Sequence, residues 1–110
     1  MNISIKVVSL LKYFRRYLLM MEIKRIEKIS KALGDPYRLK ILEAIKIEKT
    51  WLPCSTILGM CNLSQSTISH HLKQLTDADL VLVEKDGRAT RYMVNKAVFD
   101  EYIAYLTLLK

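Results

Sequence analysis

Gln65, Ser66, Ser69 and His70 fall within six consecutive residues, and each carries a short polar group that can donate and accept hydrogen bonds. Glutamine can bond an adenine edge in two places, serine serves a base or a phosphate, and imidazole can donate to a phosphate or to guanine N7. Thr67 adds a hydroxyl among them. Lys73, Lys85, Arg88 and Arg91 follow, cations that neutralise phosphates and set affinity more than sequence choice. These residue types suit a nucleic acid duplex, provided that one element presents the polar cluster and another brings the cations alongside.

The flanking sequence supplies both elements. Ser64 is a natural N-cap, since its hydroxyl can accept from an unpaired backbone N–H of the first turn, and a helix is predicted from about Gln65. Ile68, Leu72 and Leu75 recur at helical spacing as an apolar stripe, which leaves Ser66, Ser69, His70, Lys73 and Gln74 away from it. His71 lies on a different face from His70, and its pattern fits a half-buried side chain and a solvated one equally. After Leu80, the runs Val81–Lys85 and Ala89–Val94 flank Asp86-Gly87, a strong hairpin signal, with Lys85, Arg88 and Arg91 around the turn. Any small mixed domain could hold such a helix or such a hairpin. A Ser-, Gln- and His-rich helix face beside a basic hairpin is more specific, and predicts a recognition helix followed by a two-stranded wing.

Three stretches carry a resemblance to a known family: ALGDPYRLKILEAI (32–45), SQSTISHHLKQL (64–75) and GRATRY (87–92). They resemble the winged helix-turn-helix repressors of the ArsR/SmtB family, over the chain from about Ile23 to its C-terminus. The resemblance implies a dimeric bacterial or archaeal transcriptional regulator, usually a repressor that leaves its operator when an inducer binds. It implies a dimer interface built from the first and last helices. It also places the first turn of the recognition helix and its Ser-His pair, here Gln65, Ser66, Ser69 and His70, near the major groove, with Thr67 as a weaker candidate.

Composition agrees with that reading without pointing to it. A chain of 110 residues with 51% hydrophobic content makes one domain with a modest core. Its net charge of +7 is uneven: residues 1–49 hold 12 Lys/Arg against 5 Asp/Glu, whereas residues 50–110 hold 6 of each. A basic balance favours a polyanionic partner. Two cysteines, Cys54 and Cys61, are too few for a disulfide framework and fit a reducing cytoplasm. Three scattered glycines make no phosphate-cradling loop, and two adjacent histidines have no third member for a nucleophile-base-orienter set. Neither an enzyme nor a cofactor is expected.

Residues 1–21 lie outside the resemblance and are read as an amphipathic, helical N-terminal extension. Val7, Leu10, Leu11, Phe14, Leu18 and Met21 keep helical spacing, while Lys6, Lys12, Arg15 and Arg16 interrupt the apolar run. A membrane span and a secretory signal are not expected there. Three readings stay open: a helix packed on the dimer, a basic helix on a membrane surface, or an extension ahead of a natural start at Met20 or Met21.

Residues 22–110 form the winged helix-turn-helix domain. Ile23, Ile26, Ile29 and Leu33 mark a helix that Gly34 is expected to end in a left-handed conformation. Asp35 caps the next helix with Pro36 in its first position, and Leu39, Ile41, Leu42 and Ile45 are its buried side. Trp51-Leu52-Pro53 introduces a short supporting helix, and Leu63 bridges the turn. Asn95 is expected to cap a last helix whose Val98, Phe99, Tyr102, Ile103, Leu106 and Leu109 make a face wider than a small monomer needs, so that part of it meets a partner subunit.

The effector is not legible. The resembling arsenic and cadmium sensors carry paired thiols on the helix before recognition, where this chain has Cys54 alone; the zinc and nickel branch uses His with Asp and Glu on the last helix, which here lacks histidine. No metal site is expected. If one helix ran through both cysteines they would stand about 10.5 Å apart along its axis, beyond the roughly 4.4 to 6.8 Å Cα separation of a disulfide. Cys61 suits a core position. Cys54, near a helix start, is a candidate thiol sensor if its pKa is lowered, and an inert half-buried thiol otherwise. The expected fold is mainly α with one β-hairpin, a dimeric winged helix-turn-helix; the expected function is a cytoplasmic homodimeric repressor that binds double-stranded operator DNA. A protein-binding or membrane-associated winged-helix module is the alternative.

Overall fold

A computed structural model describes residues 4–110. The chain runs α1 (Ile5–Leu33), α2 (Pro36–Ile47), β1 (Leu52–Pro53), α3 (Cys54–Met60), α4 (Gln65–Asp77), β2 (Val81–Asp86), β3 (Ala89–Val94) and α5 (Lys96–Leu109). The architecture is mainly helical with a small antiparallel sheet in the order β1-β3-β2. The two-residue β1, unforeseen in the sequence, pairs Leu52 with Tyr92 and Pro53 with Arg91, so the wing is stitched to the segment that precedes α3.

The core forms where the stripes of α1, α2, α3 and α4 converge. Ile29, Ile41, Ile45, Ile57, Ile68, Leu75 and Leu80 are almost wholly enclosed. At about 25 cal/mol per Å² of apolar area removed from water, this cluster is the main favourable term in folding. Asp35 caps α2 as expected, its carboxylate accepting from the N–H groups of Tyr37 at 2.9 Å and Arg38 at 3.2 Å. Partial burial works to raise the Asp35 carboxyl, but these backbone donors and the Arg38 charge outweigh it and hold it below its ordinary value. Stability from this cap is therefore present above the usual carboxylate range and lost as pH falls through the lowered value.

Several expectations are corrected. Gly34 ends α1 at φ −84°, not in the left-handed region, with its N–H bonded to the Lys31 carbonyl at 3.2 Å. The tight three-residue closure satisfies that carbonyl without the left-handed turn. Leu39 and Ile23 are half exposed and do not join the core. Asn95 stands at the start of α5, but its side chain makes no capping hydrogen bond; its backbone N–H instead bonds Leu80 O at 3.0 Å. Asp86 pairs with Ala89, so the turn is Gly87-Arg88. Gly87 has φ +61°, the sign that the first central position of a type II′ hairpin requires.

The residues 1–21 extension has no boundary of its own. Its residues 1–3 lie outside the described residues, and from Ile5 onward it continues unbroken into the helix that buries Ile29 and Ala32. No helix among the described residues is long and apolar enough to cross a membrane.

Between α4 and the wing the chain turns by a closure the sequence hid. Asp79 has φ +59°, Asp79 N–H bonds Thr76 O at 2.9 Å, and Leu80 N–H reaches back to Leu75 O at 3.1 Å. This is a Schellman closure with aspartate in the place glycine usually fills, and buried Leu75 and Leu80 bracket it. Asp79→Val is expected to destabilise the protein by about 1–2 kcal/mol, because a β-branched residue resists the left-handed region, whereas Asp79→Gly should not lower the urea midpoint. Equal midpoints for all three chains would refute this account of the turn.

Candidate nucleic-acid interface

Helix α4 begins where Ser64 adopts extended backbone and its hydroxyl accepts the Thr67 N–H at 3.3 Å. That hydroxyl also lies 2.8 Å from the Thr67 hydroxyl and 3.2 Å from that of Ser66. Ser66 and Thr67 are therefore tied to the cap. Gln65, Ser69 and His70 are exposed and make no side-chain hydrogen bond among the described residues. The opposite face is anchored by Ile68, Leu72 and Leu75, so the outward direction of these three groups is fixed by burial and not by their own contacts.

His71, adjacent in sequence, has another role. It is buried, stacks on Tyr37 with ring centres 6.1 Å apart, and places Nδ1 3.3 Å from Arg38 Nη1. A guanidinium has no acceptor, so Nδ1 receives this bond and the ring carries its proton on Nε2. The same guanidinium donates through Nε to Ala32 O at 2.6 Å and through Nη2 to Lys31 O at 3.0 Å. Arg38 thus closes the C-terminal carbonyls of α1 while holding a side chain of α4. Sequence reading missed it because Arg38 sits amid a basic stretch, and nothing in its spacing shows that it folds inward.

The cations divide into two kinds. Lys73 pairs with Asp77 at 2.8 Å one turn along α4, and its hydrogen bond holds the Asp77 carboxyl below its ordinary value. Arg91 meets Glu84 across the β2–β3 ladder, with Nη2 at 2.9 Å and Nε at 3.2 Å, and lies over the Trp51 ring at 5.3 Å. It is bound into the wing. Lys85 and Arg88, at the hairpin tip, have no ion pair among the described residues. From Ser64 to Val94 there are four Lys/Arg and four Asp/Glu, so this surface is neutral overall. The basic excess lies at the other end of the chain.

Cys54 is the first residue of α3, half-buried and free. Burial pushes its thiol up, opposite to the lowered value a thiol sensor would use. Cys61 is also half-buried and free, packed against the core. Among the described residues no group of three His, Cys, Asp or Glu is placed to hold a metal ion.

Comparison with known proteins adds independent observations. The sequence pattern of the helix-turn-helix domain family matches residues 33–84. The arsenical resistance operon repressor of Staphylococcus aureus is 36% identical over 89 residues, covering 81% of this chain and 84% of that protein. An ArsR-like transcriptional regulator from Rhodococcus sp. RHA1 superposes with a TM-score of 0.70 at 24% identity, over 80% of this chain and 81% of its own. The homodimeric winged helix-turn-helix DNA-binding domain of a possible ArsR-family regulator from Mycobacterium bovis superposes at 0.62 and 18% identity, over 99% of this chain and 89% of its own.

Arg38→Ala should cost about 1–3 kcal/mol in urea denaturation, since it leaves the Ala32 and Lys31 carbonyls and His71 Nδ1 without their donor. Arg38→Lys should recover little, because one ammonium cannot replace a planar fork with three recipients. Full stability of the lysine variant would show that the fork geometry is dispensable.

Proposed function

Because the chain belongs to the ArsR family of winged helix-turn-helix transcriptional regulators, we propose that it is a cytoplasmic homodimeric repressor that binds operator DNA through α4 and the wing. The observation that carries this reading is the outward, unengaged trio Gln65, Ser69 and His70 on a helix whose other face is locked in the core. Two such helices on a two-fold dimer meet successive major grooves on one side of the duplex, and the bound dimer occludes the promoter. Gln65, Ser69 and His70 read base edges; Ser66 and Thr67 contribute through the cap and one nearby phosphate. Lys85 and Arg88 meet phosphates at the wing tip. Lys73 and Arg91 reach phosphate only by leaving Asp77 and Glu84, so their contribution is smaller than their charge suggests.

An effector releases the operator by changing how the two halves are held. We place that effector outside thiophilic metals, because Cys54 stands alone on α3 and α5 offers only the adjacent Asp100 and Glu101 as ligands.

Three measurements check this. Replacing Ser69 and His70 together with Ala should cost specific operator binding several kcal/mol, at about 1–3 kcal/mol for each good base contact, with no loss of helix by circular dichroism; undiminished specificity would remove α4 from the groove. Neutralising Lys85 and Arg88 should weaken binding to every sequence alike and flatten the salt slope by roughly one unit per lost phosphate contact, while Arg91→Gln should flatten it less and lower stability. Zinc, cadmium and arsenite should leave the operator complex intact. Peroxide or polysulfide should also leave it intact; release by either that Cys54→Ser abolishes would make Cys54 the sensor after all.

A further inference from the structure

The N-terminal half of α1 is a helix with nothing beside it. Every residue from Ile5 to Arg25 is exposed, including Leu10, Phe14 and Leu18, and the stripe they make runs into the one that buries Ile29 and Ala32 on the protomer's own core. No other element of the chain lies along this half. A second unfilled surface lies at the opposite end of the helix. It is an apolar groove of about 600 Å³ between α2, α5 and the base of the wing, floored by Leu33, Leu39, Phe99 and Ile103.

Building on the homodimer proposed above, we infer that each subunit's Ile5–Met21 arm lies along the C-terminal half of its partner's α1 and ends in the partner's groove, so that the two copies exchange arms. Three observations select a second copy as the occupant. The first is symmetry. A two-fold contact pairs a surface with itself, and antiparallel pairing of α1 with its copy about its midpoint sets Ile5 of one helix beside Leu33 of the other. Leu33 is the lip of the groove. The second is charge. The arm from Ile5 to Met21 carries Lys6, Lys12, Arg15 and Arg16 with no acid, so arm against arm would set like charges together, whereas the partner's Glu22–Leu33 half and the groove rim contain carboxylates, Glu43 and Glu48 among them. The third is extent. The homodimeric fold neighbour superposes along 99% of this chain, the arm included. The groove is continuous with the exposed α5 face at Ile103 and Leu106, so one partner helix covers both.

The test uses the full chain. Val7→Cys and Leu39→Cys are made in separate samples, each with Cys54→Ser and Cys61→Ser, and mixed under mild oxidation. A disulfide-linked dimer containing one of each is expected only in the mixture. In parallel, Leu10→Asp with Phe14→Asp should raise the dimer dissociation constant by at least 100-fold in sedimentation equilibrium while leaving the circular dichroism spectrum unchanged. A dimer of undiminished affinity with no crosslink would overturn the arm exchange and leave the homodimer standing. A wild-type chain that is monomeric at micromolar concentration would overturn the homodimer itself. Flotation with phosphatidylserine vesicles, lost in the Leu10→Asp/Phe14→Asp chain whose dimer is intact, would assign the arm to an anionic lipid surface instead.

Discussion

One guanidinium joins the parts of this molecule that have to move together. Arg38 leaves the first turn of α2, spends two of its nitrogens on the last carbonyls of α1, and gives a third to His71 on α4. The unsatisfied carbonyls at a helix end need a partner, and a half-buried arginine can supply several parallel donors from one rigid plane. Through that plane the position of α4 is referred to the end of α1. The groove that begins at Leu33 lies beside the same helix end, so whatever fills it acts two residues away from the Lys31 carbonyl that Arg38 holds.

The recognition surface is built by a division of labour between burial and polarity. Ile68, Leu72 and Leu75 fix α4, and the Asp79–Leu80 closure sets the angle at which the wing departs. Wing rigidity comes from β1, from the Glu84–Arg91 pair and from Trp51 beneath Arg91. With acids and bases balanced from Ser64 to Val94, long-range attraction of this face to duplex DNA is weak, so affinity depends on close fit and hydrogen bonding more than on field strength. Such a balance favours discrimination over nonspecific capture.

Periodicity and capping made most of this legible. Ser64, the α4 stripe, Asp35-Pro36 and the two wing strands follow local rules, and the structure places them where those rules put them. What stayed hidden was set by contacts distant in sequence. Arg38 to His71, Leu52 to Tyr92 and Arg91 to Trp51 join residues that no spacing relates. The Glu84–Arg91 pair needed the hairpin register, and that register differed by one position from the Asp86-Gly87 turn because Gly87 opens the loop. Leu39 and Ile23 were apolar in pattern yet outside the core, since a helix that serves two surfaces shows a stripe wider than either one. Family resemblance located the candidate base-reading residues; burial in the structure separated His70 from His71.

The unbroken course of α1 has a mechanical consequence. A helix of 29 residues is a stiff rod, and at a rise of about 1.5 Å per residue, a tilt of about 5° at its Leu33 end sweeps the Ile5 end through roughly 4 Å. A boundary loop near Met21 would have absorbed that tilt. With none, the helix works as a lever: a displacement at the Arg38 fulcrum too small to disturb the core is amplified at the far end, and a displacement imposed there returns to the core with greater force. The gearing runs both ways, so DNA seated on α4 would stiffen the arm as surely as the arm would orient α4.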